Sequence, residues 1–426
     1  MTPGHEVFAA GPGGFAATVS VPGDKSLSHR ALLFAAMAAG DSEITGAAPG
    51  DDVASTAAAL ARLGVAIDGG RVSSPGVEGW RAPTGPIDCG NSGTTMRLLA
   101  GALAGRPFET TLVGDASLMR RPMARLAGPL EALGARVSVS PDGTAPVVIA
   151  GGPLRGADIR IPVASAQVRS AVALAALQAE GRTSIDSPPG FRDHTERRLG
   201  ADGRGRWVSA TRFLVDPGPI LPGRFRVPGD PSSAAFLLAA AAMREDARVT
   251  VRRMALNPGR LGFLEVLGAM GACVVVETTG DEGGEPVGDV TVTGGPLSGT
   301  AVGGALAVRC LDEIPVLAVV AGIAGGPTRF SDAGELRAKE SDRIAATVGL
   351  VTALGGRARA LPDGLEVAGG ASYRPAEVDA GGDHRIAMAA AVAATAAGRV
   401  GVAGASVASV SWPGFREAME AVWSSR

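Results

Sequence analysis

Val21-Pro22-Gly23-Asp24-Lys25-Ser26 leads into an apolar stretch, SHRALLFAAMAAG to Gly40, and returns nearly unchanged as Val227-Pro228-Gly229-Asp230-Pro231-Ser232 before SSAAFLLAAAAMRE to Glu245. Four further stretches share the pattern of a polar start, an Ala-rich run and a glycine-type stop. They are TTMRLLAGALAG to Gly105, VRSAVALAALQAEG to Gly181, EIPVLAVVAGIAGG to about Gly325, and HRIAMAAAVAATAAG to Gly398. The six recur at roughly 65–80 residues, a spacing that marks internal repeats. A second helix in most repeats is expected to stop at a Leu-x-x-Leu-Gly-like signature, at Gly64, Gly134, Gly200, Gly271 and Gly355. Short alternating runs such as Ser42–Thr45, Thr183–Asp186, Val249–Val251 and Val400–Ala403 read as strands. Each repeat is therefore expected to be a β-α-β-α-β-β piece with a parallel crossover, which makes the fold class α/β. The two VPGD phrases sit at equivalent points and read as crossings between domains. Residues 21–227 would form an inserted domain of three repeats, and residues 1–20 with 228–426 a discontinuous domain of three more.

The 426 residues exceed one ordinary core, and 46% hydrophobic residues supply enough apolar surface for two or three. Aromatics are only 4%, so the interior must be built from Ala, Val, Leu and Ile. A formal charge of −2 argues against nucleic acid or a membrane surface as partner. No apolar run reaches the ~18 residues of a membrane span, and the first residues lack the basic-then-apolar pattern of a secretory signal. The three cysteines, Cys89, Cys273 and Cys310, are widely spaced, which suits the cytoplasm and provides neither a disulfide framework nor a zinc site.

Only Lys25 and Lys339 among 40 basic residues are lysine. A lysine kept against so strong an arginine bias points to a place where a compact ammonium that can release its proton is needed; chance survival on a solvated face is the bland account.

Polar clusters open the first helix of each repeat: Asp24-Lys25-Ser26 with Arg30, Asn91-Ser92-Gly93-Thr94, Ser165-Ala166-Gln167, Asp230-Pro231-Ser232-Ser233, Asp312-Glu313 and Asp383-His384-Arg385. Helix capping explains the Ser, Thr, Asp and Asn residues, and is reason enough for Asp230, Ser232 and Ser233. It does not explain Lys25, Arg30, Gln167 or Arg385, because cations oppose the positive end of the helix dipole. A bound anion between cation and free amides does explain them. Gly114–Pro122 is expected to place Arg120 and Arg121 at a helix start, and RAKESDR to place Lys339 and Arg343 on one helical face. The latter also reads as an ordinary solvated charged helix.

Gly23-Asp24-Lys25-Ser26 fails as a phosphate-binding P-loop, because Asp stands where Gly is required. Gly151–Gly156 is a turn without GxGxxG. Cys89 reads as a small buried thiol ahead of a nucleophile.

Nine motifs in chain order carry a resemblance: VPGDKSLSHRALLFA, DCGNSGTTMRLL, GDASLMRRPM, VASAQVRSAVALAAL, FRDHTERRLG, VPGDPSSAAFLLAAA, LDEIP, LRAKESDRI and GGDHRIAMAAAVAA. Together they resemble the 5-enolpyruvylshikimate-3-phosphate synthase family from Val21 to Ala394. The resemblance implies the two-domain enolpyruvyl transferase fold of six βαβαββ repeats, with the active site in the inter-domain cleft. It also implies transfer of the enolpyruvyl group of phosphoenolpyruvate to the 5-hydroxyl of shikimate-3-phosphate, in the pathway to chorismate and aromatic amino acids. Lys25, Gly93, Arg121, Gln167, Arg343 and Arg385 would surround phosphoenolpyruvate. Lys25, Ser26, Arg30, Ser165, Ala166, Gln167, Arg192, Asp312 and Lys339 would hold shikimate-3-phosphate. Asp312 would be the base toward the 5-hydroxyl, with Lys25 and Glu340 handling the proton at the methylene carbon. No metal or organic cofactor is implied, and a cytoplasmic monomer inhibited by glyphosate is expected.

The chain departs from some relatives. Val410, in Ser409-Val410-Ser411-Trp412-Pro413, stands where certain members carry a lysine, Ala166 stands where some have Ser, and Arg192 lies where others place Ser and Tyr. The sister family that acts on UDP-N-acetylglucosamine typically has a reactive cysteine in the loop matching Gly114–Pro122, and none is there. A non-catalytic anion-binding paralogue is the other alternative. It would be expected to lose ionisable residues first, yet Lys25, Asp312, Lys339 and Glu340 are present.

Overall fold

Why the interior needs so few aromatics is visible in its helices. The computed structural model describes residues 4–162, 165–189 and 192–425, so Val163, Ala164 and Phe191, from two of the motifs, lie outside it. The helices that matter for function are α1 (Lys25–Met37), α2 (Asp51–Ala61), α3 (Gly93–Leu103), α4 (Ala166–Ala176) and α5 (His194–Ala201). They continue with α6 (Pro231–Ala242), α7 (Ile314–Ile323), α8 (Arg343–Ala353) and α9 (His384–Ala397). Every residue of α1 from Ser28 onward is buried, as is the whole of α6. A helix apolar on all sides belongs in a core. Small side chains let such helices approach closely: a Cβ on Gly101 of α3 would lie 2.1 Å from the carbonyl oxygen of Ala171 on α4. The second helices are amphipathic, and α2 buries Val53, Thr56, Ala59 and Leu60 along one stripe.

Among the described residues seven sheets surround these helices: five are four-stranded and share one plan, one has three strands and one is a two-stranded pair. In the sheet of Ile87–Asp88, Glu109–Val113, Val147–Ala150 and Arg136–Ser138, the first pair is parallel and the other pairings are antiparallel. The crossover in the parallel pair is α3, the βαβ element read from sequence. Two sheets are completed from far along the chain. Arg224–Arg226 pairs parallel with Ala39–Thr45, and Ala16–Val19 pairs parallel with Arg248–Ala255. Glu6–Ala9 adds antiparallel to Arg399–Ala403. The repeated α/β unit read from sequence is thus present.

The chain divides into an inserted unit, Gly23–Val227 with Asp281–Glu285, and a terminal unit, Met1–Pro22, Pro228–Gly280 and Pro286–Arg426. Each has its own hydrophobic cluster, Ala31 to Phe225 in the first and Phe8 to Val422 in the second. The chain leaves one unit and enters the other within each VPGD phrase. Among the described residues, no helix is long and apolar enough to cross a membrane.

The glycine stops hold at Gly64, Gly134, Gly271 and Gly355, whose φ values of +93°, +115°, +112° and +93° are strained for residues with a Cβ. Gly200 is a correction: α5 runs through it to Ala201, and the positive φ, +69°, falls at Gly203.

Candidate active site

In the inserted unit the predicted residues gather at the starts of α1, α3 and α4. Asp24 caps α1 by accepting from the Leu27 amide at 2.8 Å, Ser92 caps α3 and Ser165 caps α4. Capping leaves the cations to be explained. The Lys25 ammonium lies 2.9 Å from Asp52 Oδ2, at the start of α2. Arg30 is buried and donates from Nη1 to the Ser26 carbonyl, from Nε to Thr195 Oγ1 and from Nη2 to Ser170 Oγ, at 2.9, 2.8 and 2.7 Å. Burial lowers its pKa to about 10, with Glu196 opposing, so it is a cation at neutral pH. The Arg192 carbonyl accepts from buried Arg169, whose guanidinium also pairs with Glu196.

A second group surrounds the amide end of α3. Arg121 Nη2 donates to Asn91 Oδ1 at 2.7 Å, and Asn91 in turn donates to Asp115. Gln167 donates to Thr94 Oγ1 at 2.9 Å and accepts from Arg97 Nη1 at 2.5 Å. A Cβ on Gly93 would lie 2.9 Å from Arg97 Nη1 and 3.6 Å from Arg121 Nη1, so Gly93, Arg121 and Gln167 face one small region lined with donors. Ala166 is the first residue of α4 and contributes no side-chain group there. Arg120 and Arg121 do not open a helix as expected. They end a 3-10 turn, Leu118–Arg120, whose start is capped by Asp115 accepting from the Ser117 and Leu118 amides.

In the terminal unit the centre is Arg343, the first residue of α8, whose side chain is 2% exposed. Its Nε donates to Asp383 Oδ2 at 2.8 Å, Nη1 to Asp312 Oδ1 at 3.2 Å and Nη2 to Glu340 Oε2 at 2.5 Å. Burial alone would lower its pKa, but the three carboxylates outweigh that and raise it. Asp312 also faces Lys339 Nζ at 3.7 Å and Arg385 Nη2 at 4.0 Å. Lys339 and Arg343 do not share a helical face. Asp342 caps α8 by accepting from the amides of Ile344 and Ala345, which ends the preceding Gly334–Ala338 turn and leaves Lys339 extended. The two cations meet all the same, on Asp312.

Asp383 supports this group from within. It caps α9 through the Arg385 amide, accepts from Ser341 Oγ at 2.9 Å, and is itself fully buried. Burial favours its neutral form, but Arg343 more than compensates, so its pKa lies below the ordinary carboxyl value. Three cations and three carboxylates thus interlock at the ends of α7, α8 and α9. Such a set can bind anionic oxygens and move a proton at a carboxylate. Asp52, Arg97 and the pairing role of Asp383 were missed in the sequence. Asp52, beside Asp51 in a first helical turn, reads as a dipole partner, and Arg97 as one more basic residue.

Six repeats in two units, with buried arginines and Lys25 at a helix start, fit the class of α/β enolpyruvyl transferases. The EPSP synthase (3-phosphoshikimate 1-carboxyvinyltransferase) family model matches residues 10–419, and this chain belongs to that family. It is 50% identical over 384 residues to a 3-phosphoshikimate 1-carboxyvinyltransferase from Herpetosiphon aurantiacus, covering 88% of this chain and 89% of the relative. A protein of the same name from Pelotomaculum thermopropionicum is 47% identical over 418 residues, covering 96% and 97%. An EPSP synthase structure from Acinetobacter baumannii superposes with a TM-score of 0.88 at 37% identity, covering 98% of both chains.

Proposed function

We propose that this protein transfers the enolpyruvyl group of phosphoenolpyruvate to the 5-hydroxyl of shikimate-3-phosphate and releases phosphate. The observation that carries the reading is Asp312 held between Arg343, Lys339 and Arg385. A carboxylate so placed can take the proton of a hydroxyl while the adjacent cations hold anionic substrates. Arg343, Arg385, Arg121, Gln167, Lys25 and the amides beside Gly93 bind phosphoenolpyruvate. Ser26, Arg30, Ser165, Ala166, Gln167, Arg192, Lys339 and Asp312, with Lys25 touching both substrates, hold shikimate-3-phosphate.

The hydroxyl oxygen attacks the carbon bearing the phosphate while Asp312 takes its proton and the methylene carbon gains one. The carbon–oxygen bond to phosphate then breaks as the new methyl group returns a proton. Lys25 and Glu340 serve those carbon protons. Family membership and the match of each motif support the assignment, and the free cysteines suit a cytoplasmic enzyme. Proton and phosphorus NMR of a mixture with both substrates should show, respectively, the vinyl enol ether and free phosphate growing equally. Phosphate without enol ether would contradict the transfer.

The UDP-N-acetylglucosamine reading is less favoured. No cysteine lies in Gly114–Pro122, and Cys89 is fully buried, its thiol pushed up to about 12 by burial and then by Asp88.

A further inference from the structure

The second helix of the first repeat, α2, has no part in the assignment above, yet its Asp52 points at Lys25, which does, and Thr56, one turn on, at His29 and Thr95. Asp52 meets the Lys25 ammonium at 2.9 Å, with side-chain exposures of 15% and 30%. Thr56 stands four residues on, on the same face. Its hydroxyl lies 2.7 Å from His29 Nδ1 on α1 and 2.6 Å from Thr95 Oγ1 on α3. Thr95 Oγ1 donates to the α3 cap, Ser92 Oγ, at 2.8 Å, and reaches the Asp52 carbonyl at 3.5 Å. All four side chains of this chain, His29, Thr56, Thr95 and Ser92, are buried.

Buried hydroxyls must be hydrogen-bonded, and one direction pairs the donors of His29, Thr56 and Thr95: His29 Nδ1–H to Thr56, Thr56 to Thr95, Thr95 to Ser92. That direction fixes the neutral Nδ1–H tautomer, and His29 Nε2 then carries only a lone pair, consistent with its having no hydrogen-bond partner. Burial lowers the His29 pKa to about 3, so no second positive charge stands beside Lys25 at neutral pH. A directional chain of this kind sets the placement of α2 against α1 and α3. Asp52 then transmits that placement to a flexible four-carbon ammonium.

We propose that Asp52 is a positioning residue for enolpyruvyl transfer, holding Lys25 in register with the Gly93–Thr94 end of α3 through the His29–Thr56–Thr95–Ser92 chain. The bland account is that Asp52 only offsets the α2 dipole, and that account affects stability alone. The proposal rests on the enolpyruvyl transfer reading, so the unmodified protein is assayed first with phosphoenolpyruvate and shikimate-3-phosphate. No phosphate release at that stage overturns the reading and the proposal with it.

With activity in hand, Asp52→Asn should lower kcat by ~10–100-fold, leave KM for phosphoenolpyruvate within about threefold, and leave the unfolding midpoint within about 2 °C. Asp52→Glu should recover much of the lost kcat, and Thr56→Val should lower kcat in the same sense with KM nearly unchanged. A kcat for Asp52→Asn within twofold of the unmodified enzyme overturns the assignment and leaves the reaction standing. So does an equal loss in Asn and Glu variants accompanied by a lowered unfolding midpoint, which would make Asp52 structural only.

Discussion

Arg343 and Asp383 meet at 2.8 Å where neither side chain has more than 2% exposure, and the same carboxylate takes the amide of Arg385. One buried anion therefore orients two of the three arginines assigned to phosphoenolpyruvate. Asp383→Asn removes a negative charge that compensates Arg343 in the interior and replaces one accepting oxygen with a donor. Removing one partner of a buried pair costs about 3–5 kcal/mol, and denaturant unfolding should show a loss near the lower figure because Glu340 and Asp312 remain. The pH dependence has a defined sign. Asp383 is held below its ordinary value of 3.8, so its contribution is fully present above that value and is lost as pH falls through the lower folded one. The variant should lack that part of the acid-induced loss below about pH 4.

His29 gives a second pH signature, in a different window. It is neutral in the fold down to about pH 3, while the unfolded chain takes up a proton near 6.5. Stability is therefore complete above 6.5 and falls on acidification toward 3, at up to ~1.4 kcal/mol per pH unit from this residue. His29→Asn should flatten that slope in unfolding measured from pH 7 to pH 4. An unchanged slope would show that another group is responsible.

Lys25→Arg should keep the fold and lose most of its turnover, by ~100-fold or more if the proton role holds, because a guanidinium does not release its proton. Steady-state kinetics with matched unfolding curves separates the two effects. Near-normal turnover would remove Lys25 from proton transfer and leave it a binding residue.

Gly93 lies in a backbone region open to other residues, and a methyl there would meet side-chain atoms: Arg97 Nη1 at 2.9 Å and Cζ at 3.5 Å, and Arg121 Nη1 at 3.6 Å. Gly93→Ala should fold normally. Glyphosate should inhibit competitively with phosphoenolpyruvate in the unmodified enzyme, and the variant's inhibition constant should rise ~10-fold or more, equal to about 1.4 kcal/mol. Equal inhibition constants would place the inhibitor elsewhere.

Much of the fold was legible because a repeated unit writes its period into the sequence. The VPGD phrases, the Ala-rich helices and the glycines at Gly64, Gly134, Gly271 and Gly355 each report a local backbone requirement. Gly200 misled because a signature cannot show where a helix runs on to a later turn at Gly203. The candidate site was legible where residue type conflicted with local structure, as with Lys25 and Arg385 at helix starts and Arg30 in the second turn of α1. Lys339 and Arg343 were assigned to one helical face because an uninterrupted helix was assumed, whereas Asp342 spends its carboxylate on two amides and restarts the helix at Arg343. The partners Asp52 and Asp383 stayed hidden for a different reason. Their roles depend on which side chain another element brings to them, and an acidic residue in a first turn or a cap position is already accounted for locally.

The central claim is that the acceptor is shikimate-3-phosphate, and phosphate release from phosphoenolpyruvate with each candidate acceptor offered alone tests it most directly. Release with shikimate-3-phosphate and none with UDP-N-acetylglucosamine is the predicted result. Release only with the sugar nucleotide, or with neither acceptor, would contradict the account.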